Sequence, residues 1–313
     1  MMNGRRVIKR RRRRIRWGRV FLLLLAVVAS VSGYNFYSQY QSGLQQSQKS
    51  SRAKQEVYEF KGKQDENGST NILILGSDAT GKDKPRADTI MIGSYNKEKG
   101  TYKLVSVMRD CYVDIPGHGK NKINAAFAFG GPELLRKTIK SNFGIDLQYY
   151  AVVDFEGFVR LIDEAFPNGV KVDVEKRMEE NIGVTIEPGE QRLDGEHLLG
   201  YVRFRQDAVG DFGRVERQQK AIKDVADQLV SVSTFRKLPK LLGVVMPFVT
   251  TNMDTGDVLF IAKGFITTEN RNIETLRLPV DGTFENKRVE EAGLILEVDE
   301  TANEKELKQF LSN

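Results

Sequence analysis

The sequence predicts a layered α/β/α domain with a mixed central sheet, preceded by a single N-terminal transmembrane helix. Three observations predict it. Asn71-Ile-Leu-Ile-Leu-Gly76 is a continuous apolar run ending in glycine, the pattern of a strand covered on both faces. Strand-like and helix-like periods alternate from about residue 70 to 232, which points to helices layered on a sheet. Val20 to Tyr37 carries no charge and directly follows a run of arginines. With 313 residues, 40% hydrophobic and 29% charged, the chain is long enough to bury a sizeable core. That composition excludes disordered, collagenous and multi-pass membrane classes.

The net charge of +6 misleads, because ten basic residues and no acid fall within residues 1–19. Those ten exceed the net charge, so the rest of the chain is mildly acidic, which argues against a nucleic-acid-binding globular domain. Residues 1–19 read as a cytoplasmic basic tail and 20–37 as the membrane anchor, about 27 Å long at 1.5 Å per residue. Trp17 on one side and Tyr34, Phe36 and Tyr37 on the other suit the two interfaces, and the flanking arginines place the N-terminus inside. A cleaved signal peptide, processed near Val-Ala-Ser at residue 30, is the alternative; the apolar stretch continues past that site and favours an uncleaved anchor. The expected location is therefore the cell membrane, single-pass type II, with the folded domain outside. Residues 38–70, rich in Gln and Ser, read as an extracellular linker with a possible short strand at Val57–Phe60. No internal repeat is visible.

Within 71–232, two further strands are expected at Asp88–Tyr95 and Tyr102–Met108, joined by the polar turn Asn96–Gly100. Gly131-Pro132 starts a helix to Phe143, with proline in its first turn. A strand at Gln148–Asp154 precedes a helix at Phe155–Phe166, and Gly169–Val174 alternates as a strand. Two helices follow, about 194–204 and 212–231, the second with Val215, Ile222, Val225 and Leu229 on one stripe. Residues 233–313 read as an extension of the same domain: one or two helices, a strand near Ile273–Leu278, and a terminal helix from about Asn303.

Charged residues gather where strands end, the usual place for sites in α/β folds. Asp78 follows the first strand, Arg86 and Asp88 flank the start of the second, and Arg109-Asp110 closes the third. Arg203, Arg205, Asp211, Arg214, Arg217 and Gln218 surround the junction of the last two core helices. Arg214 and Gln218, four apart, share a helix face; Arg203 and Arg205 converge only if their helix ends there. Guanidinium groups bind phosphate oxygens bidentately, and paired carboxylates hold Mg²⁺, with Mn²⁺ the alternative, against phosphate. The competing reading is a surface ion-pair network. No Walker loop, Gly-x-Gly-x-x-Gly or His-Glu-x-x-His motif is present.

Six segments, ILILGSDA, PRADTIMI, SVMRDCYVDIPGHGKNKINAAFAFGG, VVDFEGFVRLID, GEQRLDGEHLLGYVRFRQD and GDFGRVERQQKAI, resemble in order and spacing the LytR-CpsA-Psr family of cell-wall enzymes. Within it they are most like the branch of methicillin-resistance regulators. The resemblance implies a polyisoprenyl-teichoic acid–peptidoglycan teichoic acid transferase. Such an enzyme moves an anionic glycopolymer, of wall teichoic acid or capsule type, from undecaprenyl pyrophosphate to peptidoglycan, releasing undecaprenyl phosphate. It implies metal-binding roles for Asp78 and Asp88. Arg86, Arg109, Arg203, Arg205, Arg214 and Gln218 would bind pyrophosphate, and Asp211 would orient the site. Its implied partners are the lipid-linked polymer, the peptidoglycan acceptor and the membrane, with no nucleic acid. Cys111 departs from the family, in which threonine is common after Arg-Asp.

Other residues have plainer readings. Cys111 has no obvious histidine partner and reads as a small core residue; as the sole cysteine it excludes an internal disulfide. His118 reads as an exposed turn residue and His197 as structural. Asp110 is either the general base or the salt-bridge partner of Arg109, and Lys122 and Asn124 either line the site or start a helix. Two other functional classes remain open: a membrane-bound regulator or attenuator of cell-envelope gene transcription, and a non-catalytic module that binds polyprenyl pyrophosphate.

Overall fold

The computed structural model describes residues 17–47, 58–77, 87–229, 232–268 and 272–313. Helix α1 (Trp17–Ser47) precedes β1 (Thr70–Ser77), β2 (Ala87–Asn96), β3 (Thr101–Val107), β4 (Cys111–Ile115) and β5 (Gly119–Lys122). Then come α2 (Ile123–Phe143), β6 (Tyr149–Asp154), α3 (Phe155–Ala165), β7 (Val170–Val174), β8 (Gly189–Leu193), α4 (Gly195–Arg203) and α5 (Asp211–Leu229). The remainder is α6 (Val232–Val245), β9 (Val249–Thr251), α7 (Thr255–Thr267), β10 (Ile273–Leu278), β11 (Phe284–Val289), β12 (Gly293–Val298) and α8 (Glu300–Ser312).

The central sheet has six strands in the order β10-β3-β2-β1-β6-β9. It is mixed, as expected: β1 runs antiparallel to β2 and parallel to β6, and β10 runs parallel to β3. Alternation along β1 explains the layering. Leu73 and Leu75 are fully buried and join Phe143, Tyr150 and Leu307 in the main core, against α2 and α8. Ile74 and Gly76 point the other way and are only half-buried. The apolar run is thus covered by core on one face and lines a cavity with the other. A second core, around Val172, Leu198 and Tyr201, lies among α3, α4, α5 and the β7-β8 hairpin.

Local chemistry explains the helix ends near the cavity. The Asp154 side chain caps α3 by accepting from Gly157 N at 2.7 Å, and Asp194 caps α4 by accepting from His197 N at 2.9 Å. α2 is kinked at Gly130 and Gly131, where Gly131 has φ +64°, so its second segment begins with Pro132 in the first turn. Strands β4, β5, β11 and β12 form a second, four-stranded sheet in the order β11-β12-β4-β5, which the sequence reading did not anticipate.

The expected membrane anchor is corrected. Among the described residues, no helix is long and apolar enough to cross a membrane. Helix α1 does not stop at residue 37 but continues to Ser47 through Gln39, Gln41 and Gln45, into the stretch expected as linker. This polar half packs on α6, where backbones meet at two glycines: a Cβ on Gly43 would lie 2.3 Å from Lys240 O, and one on Gly243 would lie 2.2 Å from Tyr40 O. Gln46 and Lys240 both bond Glu164 of α3, at 3.1 and 2.5 Å, fastening the helix pair to the domain. The single-pass type II location inferred from the N-terminal segment therefore does not stand.

Candidate functional site

A cavity of about 730 Å³ lies between the β1-β2 face of the central sheet and helices α3, α4 and α5. Its walls are largely apolar, with Phe158, Leu161, Leu199, Ile222, Val225 and Leu229 among them. Polar side chains also line it, among them Asp88, Thr89, Arg109, Arg203, Arg205, Arg214 and Gln218, with Asp154 and Glu180 as further carboxylates. Six residues singled out in the sequence, Asp88, Arg109, Arg203, Arg205, Arg214 and Gln218, therefore share one cavity. Asp78 and Arg86 lie outside the described residues.

Each side chain arrives for a local reason. Asp88 and Thr89 start β2, and Arg109 leaves the end of β3. Helix α4 ends at Arg203, and Phe204 then turns extended at φ −60°, ψ 133°. That break lets Arg203 and Arg205 reach the same cavity although they are two residues apart. Arg203 lies over the Phe155 ring, 4.6 Å from its centroid. Arg214 and Gln218 occupy one face of α5, and both are buried. Gln218 Nε2 donates to Thr89 Oγ1 at 3.0 Å and Val202 O at 3.2 Å.

Arg109 is the hub. Its Nη1 lies 2.5 Å from Asp88 Oδ1, and its Nε is 3.6 Å from Asp211 and 3.7 Å from Asp110. Asp211 also accepts from Arg214 Nη2 at 2.9 Å, and Arg214 Nη2 reaches Asp88 O at 3.1 Å. Burial works against the charge on Arg109, but the fields of Asp211, Asp88 and Asp110 outweigh it and hold its pKa above the ordinary value. Arg214 goes the other way. Burial, followed by the opposing attraction of Asp211 and the repulsion of Arg109, leaves its pKa below the ordinary value, with Arg205 adding further repulsion. The Nε atoms of Arg109 and Arg214 are both buried without a hydrogen-bond partner. Arg214, a buried cation only partly compensated by Asp211, is what an anionic ligand would stabilise.

The residues beside the cavity have supporting positions. Asp110, Asp211, Lys122 and Asn124 do not line it. Lys122 Nζ holds Asp110 Oδ1 at 2.7 Å, and the Asn124 N–H reaches Arg109 O at 3.4 Å. Asp110 therefore faces a cation from each side, Lys122 and Arg109. Cys111 is fully buried in the main core, its thiol pKa raised by burial. His118 stacks on exposed Phe129 at 4.7 Å, and His197 belongs to the α4 cap with Nδ1 2.7 Å from Asp194. None of these three touches the cavity.

Among the described residues, no group of three or more His, Cys, Asp or Glu is placed to hold a metal ion. Asp88 nevertheless presents a carboxylate that is 45% exposed on the cavity wall. An accessible carboxylate oxygen is the donor type that Mg²⁺ takes, usually with several waters. Asp88 is the one candidate donor of the expected pair among the described residues, and its Oδ1 is engaged by Arg109 at 2.5 Å.

The apolar walls were the part that sequence reasoning missed. Phe158 on α3 and Ile222, Val225 and Leu229 on α5 sit at helical spacing, and periodicity does not tell a core stripe from a groove wall. Half-burial of Ile222 and Val225 on the sheet-facing side of α5 is what separates cavity from core.

The site is an apolar chamber on a mixed sheet with arginines on its wall. Comparison with known proteins narrows the class. The chain belongs to the LytR_cpsA_psr family, whose model matches residues 33–310. It is 41% identical over 272 residues to Regulatory protein MsrR of Staphylococcus aureus (strain COL), covering 87% of this chain and 83% of that protein. It is 31% identical over 268 residues to the Polyisoprenyl-teichoic acid–peptidoglycan teichoic acid transferase TagU of Bacillus anthracis (strain CDC 684 / NRRL 3495), covering 85% and 87%. Its fold is similar to the crystal structure of B. subtilis TagV, with a TM-score of 0.67 at 28% identity over 78% of this chain and 95% of that one. It is also similar to TagT bound to LIIa-WTA, with a TM-score of 0.66 at 26% identity over 82% and 98%.

Proposed function

We propose that the protein is a phosphotransferase that moves an anionic glycopolymer, of wall teichoic acid or capsule type, from undecaprenyl pyrophosphate to peptidoglycan. The observation that carries this reading is the combination in one cavity of apolar walls and guanidinium groups. An isoprenoid chain fills apolar volume, and its pyrophosphate needs bidentate cationic donors. The TagU and TagT relatives support the same substrate class.

In this reading the chain lies along α3, α4 and α5, and the pyrophosphate meets Arg109, Arg205 and Arg214. An acceptor hydroxyl attacks the polymer-bearing phosphorus and loses its proton to water, and the P–O bond to the undecaprenyl phosphate leaving group breaks. Arg109 and Arg214, already fixed by Asp88 and Asp211, hold the phosphates in line and offset charge that builds in the transition state. Asp110, pinned by Lys122, orients Arg109. Asp88, together with Asp78, would hold Mg²⁺, which when bound supplies further neutralisation of the diphosphate.

The test is to incubate purified protein with a synthetic lipid-linked donor and peptidoglycan oligomers, and to search by mass spectrometry for the joined product. Formation of that product with release of polyprenyl phosphate supports the reading, and its absence under all metal conditions refutes it. The name of the MsrR relative favours a second reading, a regulator that binds the lipid-linked ligand without transferring it. That reading predicts binding with no polyprenyl phosphate released.

A further inference from the structure

Arg217 follows Arg214 by one helical turn on α5 but does not line the cavity. Its side chain is only 5% exposed. Nη1 donates to Asp207 Oδ2 at 3.0 Å and Glu175 Oε1 at 3.0 Å, and Nη2 donates to Phe204 O at 2.8 Å. The guanidinium also lies over the Phe204 ring, 5.2 Å from its centroid. Every one of these contacts except Glu175 belongs to the loop between α4 and α5, the loop that carries Arg205.

The grip extends through Asp207. Asp207 Oδ1 accepts from Val209 N at 3.1 Å and Gly210 N at 2.8 Å, forming the turn in which Gly210 adopts φ +58°. Gly210 O then accepts the Arg214 N–H at 3.2 Å, which starts α5. From the other side, Lys176 Nζ bonds Asp207 Oδ2 at 3.2 Å, and Tyr201 OH bonds Glu175 Oε2 at 3.2 Å. Burying a guanidinium and a carboxylate is a weak route to stability, because desolvation consumes most of the attraction. What the network does achieve is a single conformation for an otherwise exposed loop.

We propose that Arg217 is a positioning residue: it fixes the Phe204–Gly210 loop so that Arg205 stays directed into the cavity beside Arg214. The inference rests on the pyrophosphate reading above. Arg217 touches no ligand in this scheme. It acts through Arg205, and its loss lets that side chain swing into solvent at the cost of the anionic headgroup alone.

The experiment measures binding of farnesyl pyrophosphate and of farnesol to the full chain by titration calorimetry. Arg217→Ala is expected to weaken farnesyl pyrophosphate at least tenfold while leaving farnesol within about twofold. The double variant Arg205→Ala/Arg217→Ala should bind farnesyl pyrophosphate within about twofold of the weaker single variant, because the two substitutions remove one interaction. Glu175→Gln, at a half-exposed position, should give a smaller loss in the same direction. Unchanged pyrophosphate affinity in Arg217→Ala, equal loss of both ligands, or additive losses in the double variant would each overturn the proposal. If Arg217→Ala does not fold, Asp207→Asn carries the same cycle with Arg205→Ala. Wild-type protein that fails to prefer farnesyl pyrophosphate over farnesol overturns the pyrophosphate reading and this inference together, and that result appears before any substitution is made.

Discussion

Replacing Arg109 by alanine separates two contributions that the structure allows to be weighed. The ligand loses a bidentate, charge-assisted contact in a site that is 20% exposed, a loss of about 3 kcal/mol. Asp88, Asp110 and Asp211, at 2.5, 3.7 and 3.6 Å from the guanidinium, also lose a shared cation. Their charge then repels the incoming pyrophosphate. Screening is substantial because Asp88 is 45% exposed, so this second term is held to about 1 kcal/mol. Together they amount to about 4 kcal/mol, on the order of 1,000-fold in affinity for farnesyl pyrophosphate. Farnesol, which lacks the headgroup, should bind within about twofold of wild type. Arg109→Lys keeps the charge but not the planar fork and should lose on the order of tenfold. Calorimetric titration of both ligands into wild type and the two variants reads these values directly. Retention of farnesyl pyrophosphate affinity in Arg109→Ala within about threefold of wild type would refute the assignment.

Three further outcomes follow from the same geometry. Ile222→Trp places a large ring in the cavity and should weaken farnesol and farnesyl pyrophosphate alike; a headgroup-selective loss would contradict the tail assignment. Gly43→Leu drives a side chain into the Lys240 carbonyl and should separate α1 from α6 at a cost of about 1–3 kcal/mol, measured as a lower thermal midpoint and faster proteolysis within α1. Burial raises the Cys111 thiol pKa in the folded protein, so the unfolded thiol ionises first. Stability from this group is intact below about pH 8.5, the unfolded value, and falls as pH rises above it. Thermal unfolding between pH 7 and 10 should show this decline in wild type and a shallower one in Cys111→Ala.

Strands β1, β2, β3, β6 and β7 and helices α3, α4 and α5 could be read from the chain because apolar runs and helical stripes mark them, whereas β4, β5 and β8 could not. β1 holds a continuous apolar run ending in glycine, and the stripe on α5 is regular. The second sheet was hidden for the opposite reason. β11 is Phe-Glu-Asn-Lys-Arg-Val with its four central residues exposed, and β5 is Gly-Lys-Asn-Lys, so neither carries the apolar alternation that marks a strand. The break after Arg203, which brings Arg205 round to the cavity, depends on the extended backbone at Phe204, which no residue type in the segment dictates. Arg214 and Arg217 illustrate the limit of spacing: three residues apart on one helix, one lines the cavity and the other clamps the neighbouring loop. The N-terminal segment misled through its apolar start, since the polar continuation to Ser47 is helical and packs against the domain.

A crystal structure of the protein with a bound polyprenyl pyrophosphate would be the most decisive measurement. The isoprenoid chain should run between α3, α4 and α5, with phosphate oxygens about 3 Å from the guanidinium nitrogens of Arg109, Arg205 and Arg214. Phosphates seated away from those arginines, or a chain lying outside the cavity, would contradict it.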